Sequence, residues 1–291
     1  MHILLRLMLL SVLLISEAHG EVLKLAAWNL SWLTLRPQGA PELPADVVPK
    51  RTEDIARLRD YALKLDADVV AFSEVDGPEI AAQVFPPSHY AIHITGDHVV
   101  QRVGFAVRRG LGFIAHPDLT ALDVHPRARF HLRSAADITL NLPGGALRLL
   151  AVHLKSGCSH DRLPQPANPA CVTLAEQIAP LQDWITARGR EGGAFALMGD
   201  FNRWMAPQDR FLAALRQAAP LADPQSGLHS PCWGGGGFLD HILTGNAASD
   251  WLAPGSFRVL TYRETGAIWK ARLSDHCPIS VRLAVPDARR P

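Results

Sequence analysis

The stretch "ALMGDFNRW", residues 196–204, decides how this chain reads. An apolar run stops at Gly199 and gives way to Asp200, Phe201 and Asn202. Asp and Asn are depleted from strand interiors. The run therefore reads as a buried strand whose end turns two polar side chains to one face, with Phe201 pointing into the core between them. An unpaired buried carboxylate is costly, so Asp200 calls for a charge supplied from elsewhere.

Strand-like runs of the same kind recur along the chain, each short, apolar or β-branched, and bounded by Gly, Pro, Asp or Asn. They are residues 22–30, 67–75, 89–95, 103–109, 136–142, 147–155, 193–201, 238–245, 256–262 and 277–285. Several carry a polar residue at or near one end: Asn29, Glu74, His153, Asp240 in "FLDHIL", and Asp275 with His276 at the start of the last run. Helical periodicity is confined to a few segments between strands. In "TEDIARLRDYALKL" (52–65), Ile55, Leu58, Ala62 and Leu65 form one stripe, with Thr52 placed as N-cap. In "TLAEQIAPLQDWITAR" (173–188), Pro180 is expected to kink or interrupt the helix. A shorter helix is expected in "PQDRFLAALRQAA" (207–219). Sheets packed on each other with helices outside is the economical arrangement. With no repeat or long linker, residues 21–291 read as one domain.

The 291 residues carry a net charge of +1, which gives no sign of the strongly basic surface of a dedicated duplex-binding scaffold but leaves room for a local basic cleft. Residues 1–20 read as a cleaved signal peptide: Arg6, then an apolar stretch, then Ala18 and Gly20. That places the mature protein outside the cytoplasm, secreted or periplasmic, with no stable membrane association. Four cysteines suit an oxidising compartment. A disulfide is expected between Cys158 and Cys171, which bracket a Pro- and Asn-rich loop. Cys232 and Cys277 are available for a second, although four cysteines allow three pairings.

Each polar strand end has an ordinary explanation taken alone: Asn29 a turn residue, His153 a hydrogen-bonded core histidine, Asp275 after Ser274 an Asx-type turn. Together they are harder to explain by accident. If neighbouring strands carry them to one edge, four carboxylates, two amides and two imidazoles converge, and mutually repelling carboxylates are usually reconciled by a hard divalent cation such as Mg²⁺. Phosphodiester hydrolysis needs a nucleophilic oxygen, neutralised phosphoryl charge and relief for the leaving oxygen, all within reach of such a set. Imidazole titrates near neutrality, and a carboxylate such as Asp240 fixes its tautomer.

The segments "AAWNLSWL", "FSEVDG", "VGFAVRR", "AVHLKSGC", "LMGDFN", "FLDHIL" and "LSDHCPI" occur in the order found in the endonuclease/exonuclease/phosphatase superfamily, and residues 22–285 resemble its deoxyribonuclease-like, secreted bacterial-type members. The resemblance implies an α/β fold, a four-layer α/β/β/α sandwich of two mixed sheets. It implies a metal-dependent phosphodiester hydrolase, an endo- or exonuclease, using Mg²⁺ with Mn²⁺ or Ca²⁺ as alternatives. Glu74 would be the principal metal ligand, with Asp275 nearby, Asn29 holding metal or its water, and Asp200 aligning or deprotonating the attacking water or helping to hold a second metal. Asn202 would contact the scissile phosphate. His276, oriented by Asp240, would stabilise or deprotonate at the phosphate and shares the general-base role with Asp200, and His153 would touch phosphate or protonate the leaving group. Arg133 matches the family's phosphate-contacting arginine, and Lys155 adjoins the same machinery.

The chain also departs from the deoxyribonuclease pattern. Val99 and Gln101 stand where a tyrosine and a glutamate are expected, so His153 loses its anionic partner unless Gln101 substitutes. Cys232 falls where the deoxyribonuclease has a bridged cysteine, but the partner position holds Met205. Arg203 is read as a phosphate contact, Trp204 and Trp233 as packing residues, the glycines 234–237 as a loop tip, and His241 as structural. Two other readings of the same scaffold are a phosphatase or phospholipid phosphodiesterase, and an inactive binding module.

Overall fold

A computed structural model of the chain describes residues 21–287 except Phe130 and Pro164. The expected signal peptide lies outside the described residues. The first strand, β1 (Val22–Leu33), shows how the sequence specifies layers. Leu23, Leu25 and Ala27 point into one buried cluster, while Ala26 and Trp28 point into another. A strand buried on both faces must be apolar throughout rather than alternating, and β1 largely is. Helix α1 (Thr52–Leu65) follows and lays Ile55, Leu58, Ala62 and Leu65 on the outer cluster. β2 (Val69–Val75) then returns parallel to β1.

The chain continues through α2 (Pro78–Val84), β3 (Tyr90–Ile94), β4 (Arg102–Arg108), β5 (Phe113–Ala115), β6 (Ala136–Leu142) and β7 (Gly145–His153). Next come α3 (Pro169–Glu176), α4 (Ile178–Glu191), β8 (Ala194–Asp200), α5 (Arg210–Ala218), β9 (Leu221–Ala222) and β10 (Asp240–Gly245). It closes with α6 (Ala247–Trp251), β11 (Arg258–Val259), α7 (Ala267–Arg272) and β12 (Ile279–Ala284). The strands form two six-stranded sheets, ordered β11-β12-β1-β2-β4-β3 and β5-β6-β7-β8-β10-β9. Each sheet has one parallel pair near its centre, β1/β2 and β7/β8, and is otherwise antiparallel.

The inner faces pack against each other through residues such as Leu25, Val69 and Phe105 from one sheet and Ile138, Leu149, Met198 and Ile242 from the other. α1 and α2 cover one outer face, and α3, α4 and α5 cover the other. This is the four-layer α/β/β/α sandwich expected from sequence.

Several local expectations need correction. The N-cap of α1 is Arg51, whose backbone N–H is accepted by the Asp54 carboxylate at 3.0 Å, and Thr52 is already helical. The interruption expected at Pro180 falls instead at Gln177, between α3 and α4. Pro180 lies in the first turn of α4, where a missing N–H costs no helical bond. Residues 256–262 pair as strand only at Arg258–Val259. The sulfurs pair as Cys158–Cys171 and Cys232–Cys277. Among the described residues no helix is long and apolar enough to cross a membrane.

Candidate active site

Strand direction brings the polar ends to one edge. In each central parallel pair both carboxyl ends point the same way, delivering Asn29 and Glu74 from one sheet and His153 and Asp200 from the other. β10 runs antiparallel to β8, so its first residue, Asp240, is the cross-strand partner of Asp200. β12 runs antiparallel to β1, so the turn before it carries Asp275 and His276 to the same edge.

Asp200 lies at the centre. Its carboxylate accepts from Asn29 Nδ2 at 2.9 Å, from Asn202 N at 2.7 Å and from Asn202 Nδ2 at 3.3 Å. His153 Nε2 lies 3.6 Å from Asp200 Oδ2 and also 3.6 Å from Glu74 Oε1. Asn29 Nδ2 donates to Glu74 Oε1 at 3.0 Å as well, so one amide bridges the two carboxylates. Asn29 Oδ1 is taken by Ser31 N–H at 2.8 Å. His276 pairs through Nδ1 with Asp240 Oδ2 at 2.6 Å and turns Nε2 toward Asp200 Oδ2, 3.9 Å away. The loop that carries His276 is held from behind: Ser274 Oγ donates to Asn29 O, Tyr262 OH donates to His276 O, and Trp233 Nε1 donates to Ser274 O.

Burial raises the Asp200 carboxyl to about 7, with the His276 charge and the Asn29 and Asn202 bonds opposing that rise and the Asp240 charge adding to it. His276 is buried too, which disfavours its cation, but the Asp240 and Asp200 carboxylates outweigh that and hold it well above an ordinary imidazole. His153 goes the other way: burial, then the Arg133 and His276 charges, push it well below, so it is neutral at pH 7. Two imidazoles on one edge are therefore held in opposite protonation states.

Glu74, His153 and Asp200 each offer one ligand atom, all within 4.8 Å of one another, and Asp200, Asp240 and His276 form a second such group. The carboxylate pair in the first suits a hard divalent cation. Asp275 is not part of that group; it is half-exposed at the mouth, with Oδ1 3.9 Å from His276 Nε2. Arg133 is buried, donates to Leu154 O at 3.0 Å and leaves Nε without a partner. Lys155 places its ammonium on Ser156 O at 2.9 Å. Gln101 does not replace the missing glutamate, since His153 Nδ1 has no hydrogen-bond partner.

Arg203 is not a phosphate contact: its guanidinium is buried against Asp209, at 2.6 Å, and donates to Cys158 O. His241 is buried and held by Gln225, Arg203 O and Phe238 O. Trp204 is partly exposed and packs on Gly237 and His160. Sequence reading missed Lys50, a buried lysine that donates to Ser31 O beside the Glu74 end of the site. Its one sequence signal is a cation just ahead of a helix N-terminus, where the helix dipole disfavours it.

A four-layer sandwich with acids, amides and imidazoles gathered at one edge of both sheets defines a class of phosphoric ester hydrolases. The chain belongs to the Endonuclease/Exonuclease/phosphatase family, whose model matches residues 26–276. None of the curated proteins compared matches it. Among solved structures, truncated TDP2 from Caenorhabditis elegans is similar over 90% of this chain and 97% of its own, with 13% identity and a TM-score of 0.58. The 3′-5′ exonuclease NExo from Neisseria meningitidis is similar over 90% and 99%, with 15% identity and a TM-score of 0.57. TDP2 from D. rerio, complexed with single-strand DNA product, covers 90% and 98%, with 16% identity and a TM-score of 0.56. At such identities the likeness concerns the fold.

Proposed function

We propose that this protein is a secreted phosphodiester hydrolase that cleaves nucleic acid with a divalent cation, Mg²⁺, as cofactor. The observation that carries the reading is the convergence on one edge of Glu74, His153 and Asp200 with His276, whose Nδ1 is held by Asp240 at 2.6 Å. When bound, the cation supplies Lewis-acid charge to the phosphoryl oxygens. Glu74 and Asp200 are the carboxylates that would hold it, with Asp275 at the mouth and Asn29 keeping the two inner acids in register. Asp200, ionised beside the cation, would orient the attacking water as a hydrogen-bond acceptor. His276 donates through Nε2 to a phosphate oxygen as charge builds there. Neutral His153 turns Nε2 to the same point, and Asn202 flanks it. Arg133, and more weakly Lys155, supply positive charge for the phosphate.

Nucleic acid is favoured over a small phosphoester by the groove beside the site. That cavity, about 490 Å³, is lined by Arg36, Arg102, Arg129 and Arg133 against the acids Glu42 and Asp97, with Trp32 beside them. Arg36 is paired with Asp76 and Glu42, and the cavity has room for more than a phosphate. The structural neighbour bound to single-strand DNA product fits the same choice. Two disulfides fit an extracellular or otherwise oxidising compartment, and the leader-like residues 1–20 fit export.

The test is purified protein assayed on plasmid, single-stranded DNA, RNA, bis-p-nitrophenyl phosphate and phospholipid, with Mg²⁺ or EDTA. Nucleic-acid cleavage that EDTA abolishes is expected, with losses on the order of 10³-fold in Asp200→Ala and His276→Ala. Activity surviving in both variants would refute the site. Turnover of phospholipid or of a phosphomonoester alone would move the assignment to the other branch of the scaffold, and no hydrolysis at all would leave a binding module.

A further inference from the structure

Lys50 is used by nothing described so far. It ends the Pro-rich segment that leads from β1 to α1, and only 8% of it is exposed. Among the described residues no carboxylate lies within 4.0 Å of its ammonium, and its one hydrogen bond goes to the carbonyl of Ser31. A buried ammonium committed to a backbone carbonyl rather than to an acid is an unusual expense for a fold, since lysine is almost never fully buried unless paired.

The peptide unit it holds has a second bond. The same Ser31–Trp32 peptide gives its N–H, that of Trp32, to Glu74 Oε2 at 3.0 Å. The path is continuous: Lys50 ammonium to Ser31 C=O, through the peptide to Trp32 N–H, and on to the carboxylate. Donation to the carbonyl polarises the amide and strengthens the N–H as a donor. The peptide is also conformationally improbable. Ser31 and Trp32 have φ of 46° and 54°, and Glu74 has φ of 61°. L-residues reach the left-handed region only where surrounding contacts impose it. Ser31 N–H is tied to Asn29 Oδ1, and the carbonyl on its other side is tied to Lys50.

We infer that Lys50 is a positioning residue for the cation site: through the Ser31–Trp32 peptide it fixes Glu74 Oε2 and so aims Oε1 at the site shared with Asp200 and His153. This rests on the reading of Glu74 as a cation ligand. The charge of Lys50 alone works in the opposite sense, because a nearby ammonium repels a divalent cation. Burial lowers its pKa to about 8, against the pull of Glu74, Asp275 and Asp54, so it still carries charge at pH 7.

The two effects of removing Lys50 differ in sign, which makes the inference testable. Titration calorimetry of metal-free protein with MnCl₂ or MgCl₂ should show Lys50→Met binding the ion about tenfold more weakly than the parent. Unchanged or tighter binding would overturn the inference, since loss of a mere repelling charge tightens it. A second readout needs neither metal nor activity. In ¹H–¹⁵N spectra of the metal-free protein, the Trp32 amide should lie downfield in the parent, as a proton donated to a carboxylate does, and move upfield in Lys50→Met and in Glu74→Gln. A Trp32 amide unmoved in Lys50→Met but shifted in Glu74→Gln would also overturn it. If neither parent nor variant binds a divalent ion, the cation reading of Glu74 fails and the amide shift alone decides the role of Lys50. Should Lys50→Met fail to fold, Lys50→Gln, which keeps a donor without the charge, is expected to fold and show an intermediate shift.

Discussion

The two walls of the site are built by opposite means. On one, His153, Asp200 and Asp240 are the terminal residues of three hydrogen-bonded strands, and pairing register alone sets them side by side. On the other, the β1/β2 pairing slips after Asn29 and Ser73, and Glu74 sits in the slip with a left-handed backbone. The regular wall takes its backbone positions from pairing within its own sheet, but register forces Asp240 opposite Asp200 and concentrates negative charge, which Asn29 and His276 of the other sheet meet at 2.9 and 2.6 Å. The irregular wall places one carboxylate freely and relies on clamps: Asn29, the Trp32 N–H, and Lys50 behind it. A pre-set site can thus draw on the stiffness of a sheet or on a locally strained turn, and each has its own weakness.

The weakness of the regular wall is steric. Gly199, inside β8 and next to Asp200, has φ of +131°, and a Cβ there would lie 2.2 Å from the backbone oxygen of Val152. Neither conformation nor space admits a side chain, and the neighbouring atom is backbone that cannot step aside. Gly199→Ala should cost about 3 kcal/mol or more of folding stability, read as a fall in urea midpoint, and should separate His153 from Asp200. A loss under about 1 kcal/mol would mean that strand register is not what holds this wall.

Its second weakness is charge. The Asp200 carboxyl has an ordinary value of 3.8 and is raised to about 7 in the folded protein. A raised folded value means that its contribution to stability is complete below about pH 4 and is lost as pH rises through about 7. In EDTA, Asp200→Asn should therefore melt about 5 °C above the parent at pH 8, and the gap should close toward pH 4. Mg²⁺ at pH 8 should raise the parent more than the variant. A gap independent of pH between 5 and 8 would show that the buried carboxylate is not the source of the cost.

What the sequence discloses follows the same division. The regular wall is legible because each strand is an apolar run that stops at a polar residue, so Asp200, His153 and Asp240 announce themselves, and topology then brings them together. The layered fold is legible for the same reason. Elements that lack a full period are not: β5, β9, α2, α6 and α7 span two to seven residues and show no pattern. Residues 256–262 have strand composition, yet Tyr262 leaves the sheet to stack on Trp233 and to hold Trp28 and the His276 carbonyl. Arg203 sits beside "GDFN" and reads as a phosphate contact until the fold brings Asp209 onto it. Lys50 is hidden because its partner is a carbonyl 19 residues earlier, and no side-chain pattern encodes that contact.

The weakness of the irregular wall is strain, and it offers the smallest effect with the most informative sign. Ser31 holds φ of 46° although it carries a Cβ, and its hydroxyl makes no hydrogen bond within the described residues. Glycine at this position relieves the left-handed penalty but gives the unfolded chain more freedom to lose. The two terms nearly offset, and Ser31→Gly should gain about 0.5 kcal/mol in a urea titration, the opposite sign from Gly199→Ala. The same change loosens the turn that presents Trp32 N–H, so the Mg²⁺ concentration for half-maximal activity should rise severalfold while saturated turnover stays near the parent's. A stability loss of about 1 kcal/mol with unchanged Mg²⁺ dependence would mean that the turn is not strained and that Glu74 is placed by its own strand.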